Sequence, residues 1–226
     1  MSKTLKLVAV AAAATFTLAA CGSDDGTHHD AGSSAGTSSS STTSSVHNDA
    51  DVTFATDMIP HHQQAVAMAK MAVSQASDPK VMALAAEIEA AQGPEISTMS
   101  GWLKAWGEEV PSTDSPRGDM GDHDMGGDMP GMMTSEQMKQ LESASGAAFD
   151  RRFLDMMVEH HRGAIDMARA EQQDGRNPAA VALAKKIETA QAEEISMMES
   201  MLQRLRTAST GLGRPTLRAV PLTIWG

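Results

Sequence analysis

The chain has 226 residues, of which 41% are hydrophobic, and 29 acidic against 18 basic side chains give a formal net charge of −11. A chain this acidic and without a basic patch is not expected to bind nucleic acid. Cys21 is the one cysteine, so the chain can form neither an internal disulfide nor a thiolate metal site.

Residues 1–21 are typical of a lipoprotein signal peptide. A positive start is followed by an apolar run too short to cross a bilayer, which takes roughly 20 residues. The run ends in the letters L-A-A-C, which resemble a bacterial lipobox and predict lipidation of Cys21. An ordinary signal peptide with an incidental cysteine is the alternative. Residues 22–50 are rich in Gly, Ser and Thr, and we predict that they form a disordered tether.

Two helical hairpins are predicted, over residues 51–107 and 136–208. Each hairpin breaks where Asp or Asn precedes Pro, at Asp78 and Asn177, which is a signal for the start of a helix. No window has the period-two alternation of a half-buried strand. Because neither hairpin can bury its apolar stripe alone, we predict an all-α four-helix bundle in which residues 51–208 form one domain.

The segment between the hairpins, residues 108–135, is rich in Met, Gly and Asp. Thioether sulfur together with imidazole is a ligand set that selects Cu(I) over hard cations. We therefore predict a linker metal site, and a flap that packs methionine on the bundle is the alternative. Its candidate ligands are Met120, His123, Met125 and Met129. The four residues from Thr134 to Gln137 resemble a capping box that opens a short helix, and residues 209–226 form a C-terminal tail.

The two hairpins are copies of one unit. Residues 51–103 align with residues 150–202 at a constant offset of 99, with 21 of 53 pairs identical. On a helical wheel of roughly 100° per residue, the identical positions of the first helix share one arc. That arc must face the core, and it contains the two histidine pairs His61-His62 and His160-His161.

The repeat also predicts a polar layer in the middle of the bundle. Glu95 lies as many residues after the turn as His61 lies before it, so an antiparallel hairpin brings the two to one level. A carboxylate facing a core needs a partner or a metal ion. We therefore expect His61, Glu95, His160 and Glu194 to converge, with Met58 and Met157 in the next layer and His62 and His161 at the edge.

Two interpretations of this layer stay open. Buried His–Glu hydrogen bonds can fix the register of a bundle, as polar core positions do in coiled coils. Two imidazoles and two carboxylates are also a plausible ligand set for zinc, iron, manganese or copper.

The segments D-M-I-P-H-H-Q-Q-A-V-A-M-A and F-L-D-M-M-V-E-H-H-R-G-A-I-D-M-A resemble the signature of DUF305, a bacterial family of domains of unknown function. The resemblance implies a ferritin-like fold, a secreted or membrane-anchored location and, for some members, copper tolerance. It carries over as candidate ligands Met58, His61, His62, Met68, Met157, His160, His161 and Met167. The di-iron motif Glu-x-x-His is absent, since Gln92 and Gln191 stand where it has His.

These observations favour an extracytoplasmic lipoprotein, anchored to the membrane through Cys21, that binds copper and buffers it or transfers it to another metal-handling protein. Zinc, iron and manganese are the alternative ions. A metal-dependent oxidoreductase with the His/Glu layer as its active site is the alternative from the enzyme class. A helical bundle that docks onto a partner without metal is the third.

Overall fold

The computed structural model describes residues 46–112 and 129–209. The predicted signal peptide with Cys21, most of the tether, linker residues 113–128 and nearly all of the tail therefore lie outside the described residues. The elements in chain order are α1 (Asp49–Gln75), α2 (Pro79–Trp106), α3 (Ser135–Glu142), α4 (Gly146–Asp174) and α5 (Pro178–Ser209). No strand occurs within these two described ranges. The predicted all-α class is confirmed.

The two hairpins are α1–α2 and α4–α5, and they meet through α1 and α4. The start of α1 lies against the end of α4, so these two central helices run antiparallel. The fold is thus the expected ferritin-like four-helix bundle, with α3 as a short addition. None of the described helices carries an apolar run that would let it cross a membrane.

Four of the five described helices, all except α4, begin where a side chain caps the first turn. The Asp78 side chain accepts from the Lys80 N–H (2.8 Å), with Pro79 in the first turn. Asn177 does the same for Ala179 (3.0 Å) at the start of α5. Thr134 opens α3 with the predicted capping box. Side-chain oxygens in these positions satisfy backbone donors that the first turn leaves free.

Asp51 and Asp150, which occupy equivalent positions in the repeat, each bind the turn of the other hairpin. The Asp150 carboxylate accepts from the Ser77 and Asp78 N–H groups (2.9 and 3.0 Å) at the turn of the other hairpin. The Asp51 carboxylate accepts from the Asn177 N–H (2.8 Å) at the opposite turn. Each hairpin therefore supplies the acid that holds the turn of its copy, and both acids are buried.

The interior consists of two apolar clusters. The first combines the second half of α1 and the first half of α2 with the start of α4 and the end of α5. The second combines the complementary halves of the same four helices. Along α1 the clusters are separated by residues 60–64, and along α4 by residues 159–163. Both gaps contain a histidine pair.

Candidate metal centre

Four histidines fill the level between the two apolar clusters. The side chains of His61, His62, His160 and His161 are all fully buried. The rings of His61 and His160 are in contact across the α1–α4 interface, with centroids 3.7 Å apart and planes inclined by 39°. The structure therefore brings the first histidine of each pair together at the middle of the bundle.

The two glutamates pair with the second histidine of each repeat. Glu95 Oε2 lies 2.8 Å from His62 Nε2, and Glu194 Oε2 lies 2.5 Å from His161 Nε2. The prediction that Glu95 and Glu194 face His61 and His160 is wrong by one residue. Neighbouring helix positions differ by roughly 100° in direction, so the first histidine faces the other hairpin while the next one faces the glutamate of its own.

A second correction concerns burial. His62 and His161 are not at the edge of the buried stripe but within it, whereas the Glu95 and Glu194 side chains keep 23% and 18% of their surface exposed. The carboxylates thus stand at the rim, where water offsets part of the cost of their charge. The histidines are the interior polar groups.

Within the described part of the chain, five ring nitrogens of this layer have no hydrogen-bond partner. They are His61 Nδ1, His62 Nδ1, His161 Nδ1 and both nitrogens of His160. A buried polar atom left unpaired costs roughly 1–3 kcal/mol, and native structures contain few. Five at one level form a cluster of lone pairs and N–H groups to which no described residue offers a hydrogen bond.

Burial also keeps the central imidazoles uncharged. Loss of solvation lowers the pKa of His61 to about 3, and the neighbouring His62 adds to this effect. Loss of solvation likewise holds the pKa of His160 well below its usual range, with a further contribution from His61. Neutral imidazole is the form that binds metal ions.

The candidate methionines lie above and below the histidines. Met58 belongs to the second apolar cluster, with Met99, while Met157 and Met68 belong to the first. All of these are fully buried, and Met167 is partly buried against the second cluster. Their burial gives them a packing role in its own right.

The described part of the chain contains no group of three or more His, Cys, Asp or Glu side chains already arranged around one point. The contact between His61 and His160 is ring against ring, whereas an imidazole binds a metal ion through a lone pair in the ring plane. The layer therefore offers a ligand set whose members are not all arranged around one point.

The end of the linker reaches this layer. Pro130 O lies 3.1 Å from His61 Nε2. The Gln64 side chain bonds to the backbone of Met133 in both directions, at 2.9 and 2.7 Å. Of the predicted linker ligands, Met129 is half-buried here, while Met120, His123 and Met125 lie outside the described residues. Sequence reasoning missed Gln64 and Pro130. The one available signal was that Gln64 corresponds to Gly163 in a repeat that is otherwise similar nearby.

The fold and the site define a class of protein: an all-α bundle, made from a duplicated hairpin, with a buried layer of histidines at its centre. The chain belongs to the DUF305 family (domain of unknown function), which matches residues 51–202. No curated protein matches it.

Solved structures of the family share the fold. A putative secreted DUF305 protein from Streptomyces coelicolor is 36% identical, with a TM-score of 0.61, over 70% of this chain and 94% of that one. A DUF305 fragment from Deinococcus radiodurans is 29% identical, with a TM-score of 0.59, over 70% and 97%. CopM in its Cu(I)-bound form is 30% identical, with a TM-score of 0.55, over 68% and 96%. CopM has also been solved in a Cu(II)-bound form.

Proposed function

We propose that this chain is an extracytoplasmic copper-binding protein that holds the ion in its histidine layer. The observation that carries the proposal is the set of five buried ring nitrogens at one level that have no hydrogen-bond partner among the described residues. Imidazole nitrogen suits copper in both of its common oxidation states, and the thioether sulfurs next to the layer suit Cu(I). The likeness to CopM, solved with Cu(I) and Cu(II), supports copper over the alternative ions.

The glutamates have a different role in this proposal from the one the sequence suggested. Glu95 and Glu194 each accept from Nε2 of a histidine whose Nδ1 has no partner. A carboxylate that holds one ring nitrogen fixes the orientation of the ring and raises the basicity of the other. In this proposal Glu95 and Glu194 orient His62 and His161 by hydrogen bonds and do not bind the metal ion directly.

The test is a titration of the purified protein with Cu(I) under a competing chelator, and with Cu(II), Zn(II) and Fe(II) in parallel. The double variant His61→Ala/His160→Ala should lose the tightest copper site. His47→Ala is the matched control, because it removes a histidine outside the layer. Unchanged copper stoichiometry and affinity in the double variant would exclude the layer as the site.

The linker site is a separate part of the proposal. Met120→Leu, Met125→Leu and His123→Ala together should remove a weaker Cu(I) equivalent and leave the layer intact. Residues 129–133, which contact the histidine layer, are unchanged in this variant, so the layer is not disturbed. A Cu(I) stoichiometry equal to that of the unmodified protein would exclude linker binding.

We also propose that Cys21 carries a lipid that anchors the protein to the cell membrane. The support is the apolar run ending in L-A-A-C at residues 18–21. The variant Cys21→Ser should be found in the soluble extracytoplasmic fraction and should not incorporate labelled fatty acid. Retention of the variant in the membrane fraction with label still attached would contradict the assignment.

A further inference from the structure

A short segment, Met129–Met133, crosses the buried histidine layer where α1 and α4 meet, and we refer to it as the strap. Its Pro130 carbonyl oxygen lies 3.1 Å from His61 Nε2. Its C-terminal end is held by the Gln64 amide, which donates to the Met133 carbonyl (2.9 Å) and accepts from the Met133 N–H (2.7 Å). The Met133 side chain is buried in the first apolar cluster. The strap is thus fixed at both its backbone and its side chain.

Two glycines allow the strap to approach this closely. Gly131 adopts a φ of 75°, in the left-handed region that favours glycine. A Cβ there would lie 2.6 Å from the Glu159 carbonyl oxygen. A Cβ on Gly163 of α4 would overlap the carbonyl group of Pro130 itself. The position of the Pro130 carbonyl therefore depends on the missing side chain at Gly163.

The repeat shows that this arrangement is specific to one side of the molecule. Gln64 and Gly163 occupy equivalent positions, at the offset of 99 that relates the copies. In the first copy the Gln64 amide holds the strap by hydrogen bonds. In the second copy the missing side chain of Gly163 leaves room for the strap. The histidine layer is nearly symmetric in sequence, but the strap contacts it asymmetrically.

The contact with Pro130 determines which nitrogen of His61 carries a proton. A carbonyl oxygen only accepts, so His61 Nε2 must donate. In a neutral imidazole the other nitrogen then has a free lone pair, and His61 Nδ1 is buried without a partner. The strap makes no such contact with His160, whose ring instead lies beside the His61 backbone. The strap therefore fixes the tautomer of His61 only, although the two histidines are equivalent by repeat.

We propose that the strap is a positioning element of the histidine layer: the Pro130 carbonyl, placed by Gly163 and Gln64, holds His61 with Nδ1 open to the metal ion. The part that concerns the ion rests on the function proposed above, whereas the part that concerns the tautomer does not. Partners of this kind fix the orientation of a ligand, and their removal typically costs roughly 10–100-fold in metal affinity.

The experiment compares Gly163→Ala with Gly101→Ala, a helical glycine whose added Cβ meets open space. Long-range ¹H–¹⁵N NMR of the metal-free protein reads the His61 tautomer directly. We expect the Nε2–H form in the unmodified protein and in Gly101→Ala, and a mixed population in Gly163→Ala. Competition titration should show Cu(I) binding weakened roughly 10–100-fold in Gly163→Ala only.

A second variant, Gln64→Ala, loosens the strap without adding an atom to the interface, and it keeps the test valid if Gly163→Ala does not fold. It should shift the tautomer and the affinity in the same direction. An Nδ1–H tautomer in the unmodified protein would overturn the inference. So would a copper affinity that falls in His61→Ala but not in either strap variant, which leaves the proposed function standing. Copper binding that ignores the double variant His61→Ala/His160→Ala, with a tautomer that still responds to the strap, would reject the proposed function and the part of the inference that concerns the ion, while the part that concerns the tautomer would stand.

Discussion

Glu171, at the end of α4, gives the sharpest prediction about stability. Its side chain is 1% exposed, and its carboxyl group lies beside the carboxylate of Asp51. Burial, a hydrogen bond to Asp51 and the charges of Asp51 and Asp174 together raise the pKa of Glu171 to about 8. In Asp51 itself burial raises the pKa, but backbone hydrogen bonds, first that of Asn177, outweigh it and leave the pKa lowered. Glu171 is therefore the member of the pair that keeps the proton.

The sign of the pH effect follows from this difference. In the unfolded chain Glu171 ionises near its ordinary pKa of 4.5, whereas in the folded protein it stays protonated up to about pH 8. The folded state binds more protons over this interval, so stability falls as the pH rises. Each pH unit costs about 1.4 kcal/mol. Over the whole interval the loss is on the order of 5 kcal/mol, and above about pH 8 it is constant.

The variant Glu171→Gln removes the ionisation while keeping the shape of the side chain. Its free energy of unfolding, measured by urea denaturation from about pH 5 to pH 9, should exceed that of the unmodified protein by a margin that widens with pH up to about 8. Other titrating groups cancel in the difference. Glu87→Gln, at an exposed position of α2, should give a flat difference. Parallel curves for Glu171→Gln and the unmodified protein would refute the reasoning.

Three further predictions concern the caps and the layer. Asp150→Ala removes a buried charged acceptor from the Ser77 and Asp78 amides and should lower the free energy of unfolding by about 3–5 kcal/mol, since each bond to a charge contributes about 1.5–3 kcal/mol; a loss under 1 kcal/mol in urea denaturation would contradict the contact. Asn48→Ala removes the N-cap of α1 and should cost about 1 kcal/mol by the same measurement, with no effect taken as disproof of the cap. Glu194→Gln should weaken Cu(I) binding roughly 10–100-fold in chelator competition while leaving stoichiometry unchanged, and unaltered affinity would remove this residue from the site.

The fold was predictable because its signals are local and repeated. Pro79 and Pro178 mark the starts of α2 and α5, where the structure places them. The α1–α2 turn falls where the sequence predicts it. The sequence does not mark the start of α4, because Gly146 carries no start signal and Ser145 makes no side-chain cap. Such an N-terminus is decided by packing rather than by capping.

The level of the site along the bundle was predictable, but the direction in which each side chain points was not. Counting residues from the turn places histidine and glutamate at nearly the same level, and that level is correct. Whether His61 or His62 meets Glu95 depends on how each hairpin is rotated about its own axis. That rotation is set by the contact between α1 and α4, which no periodicity within one helix encodes. The strap could not be predicted either, because its contacts join residues that are 69 positions apart in the sequence.

The crossed contacts of Asp51 and Asp150 have a consequence for how such a molecule could have arisen. Each acid serves amides of the other repeat, so an isolated hairpin would have an acid without its amides and a turn without its acid. Two identical hairpins facing each other would satisfy both at once, by the same pair of contacts on either side of a two-fold axis. In evolutionary terms the protein has the organisation of a homodimer whose subunits have been fused into one polypeptide. Only after such a fusion can the two halves diverge, as they have at Gln64 and Gly163.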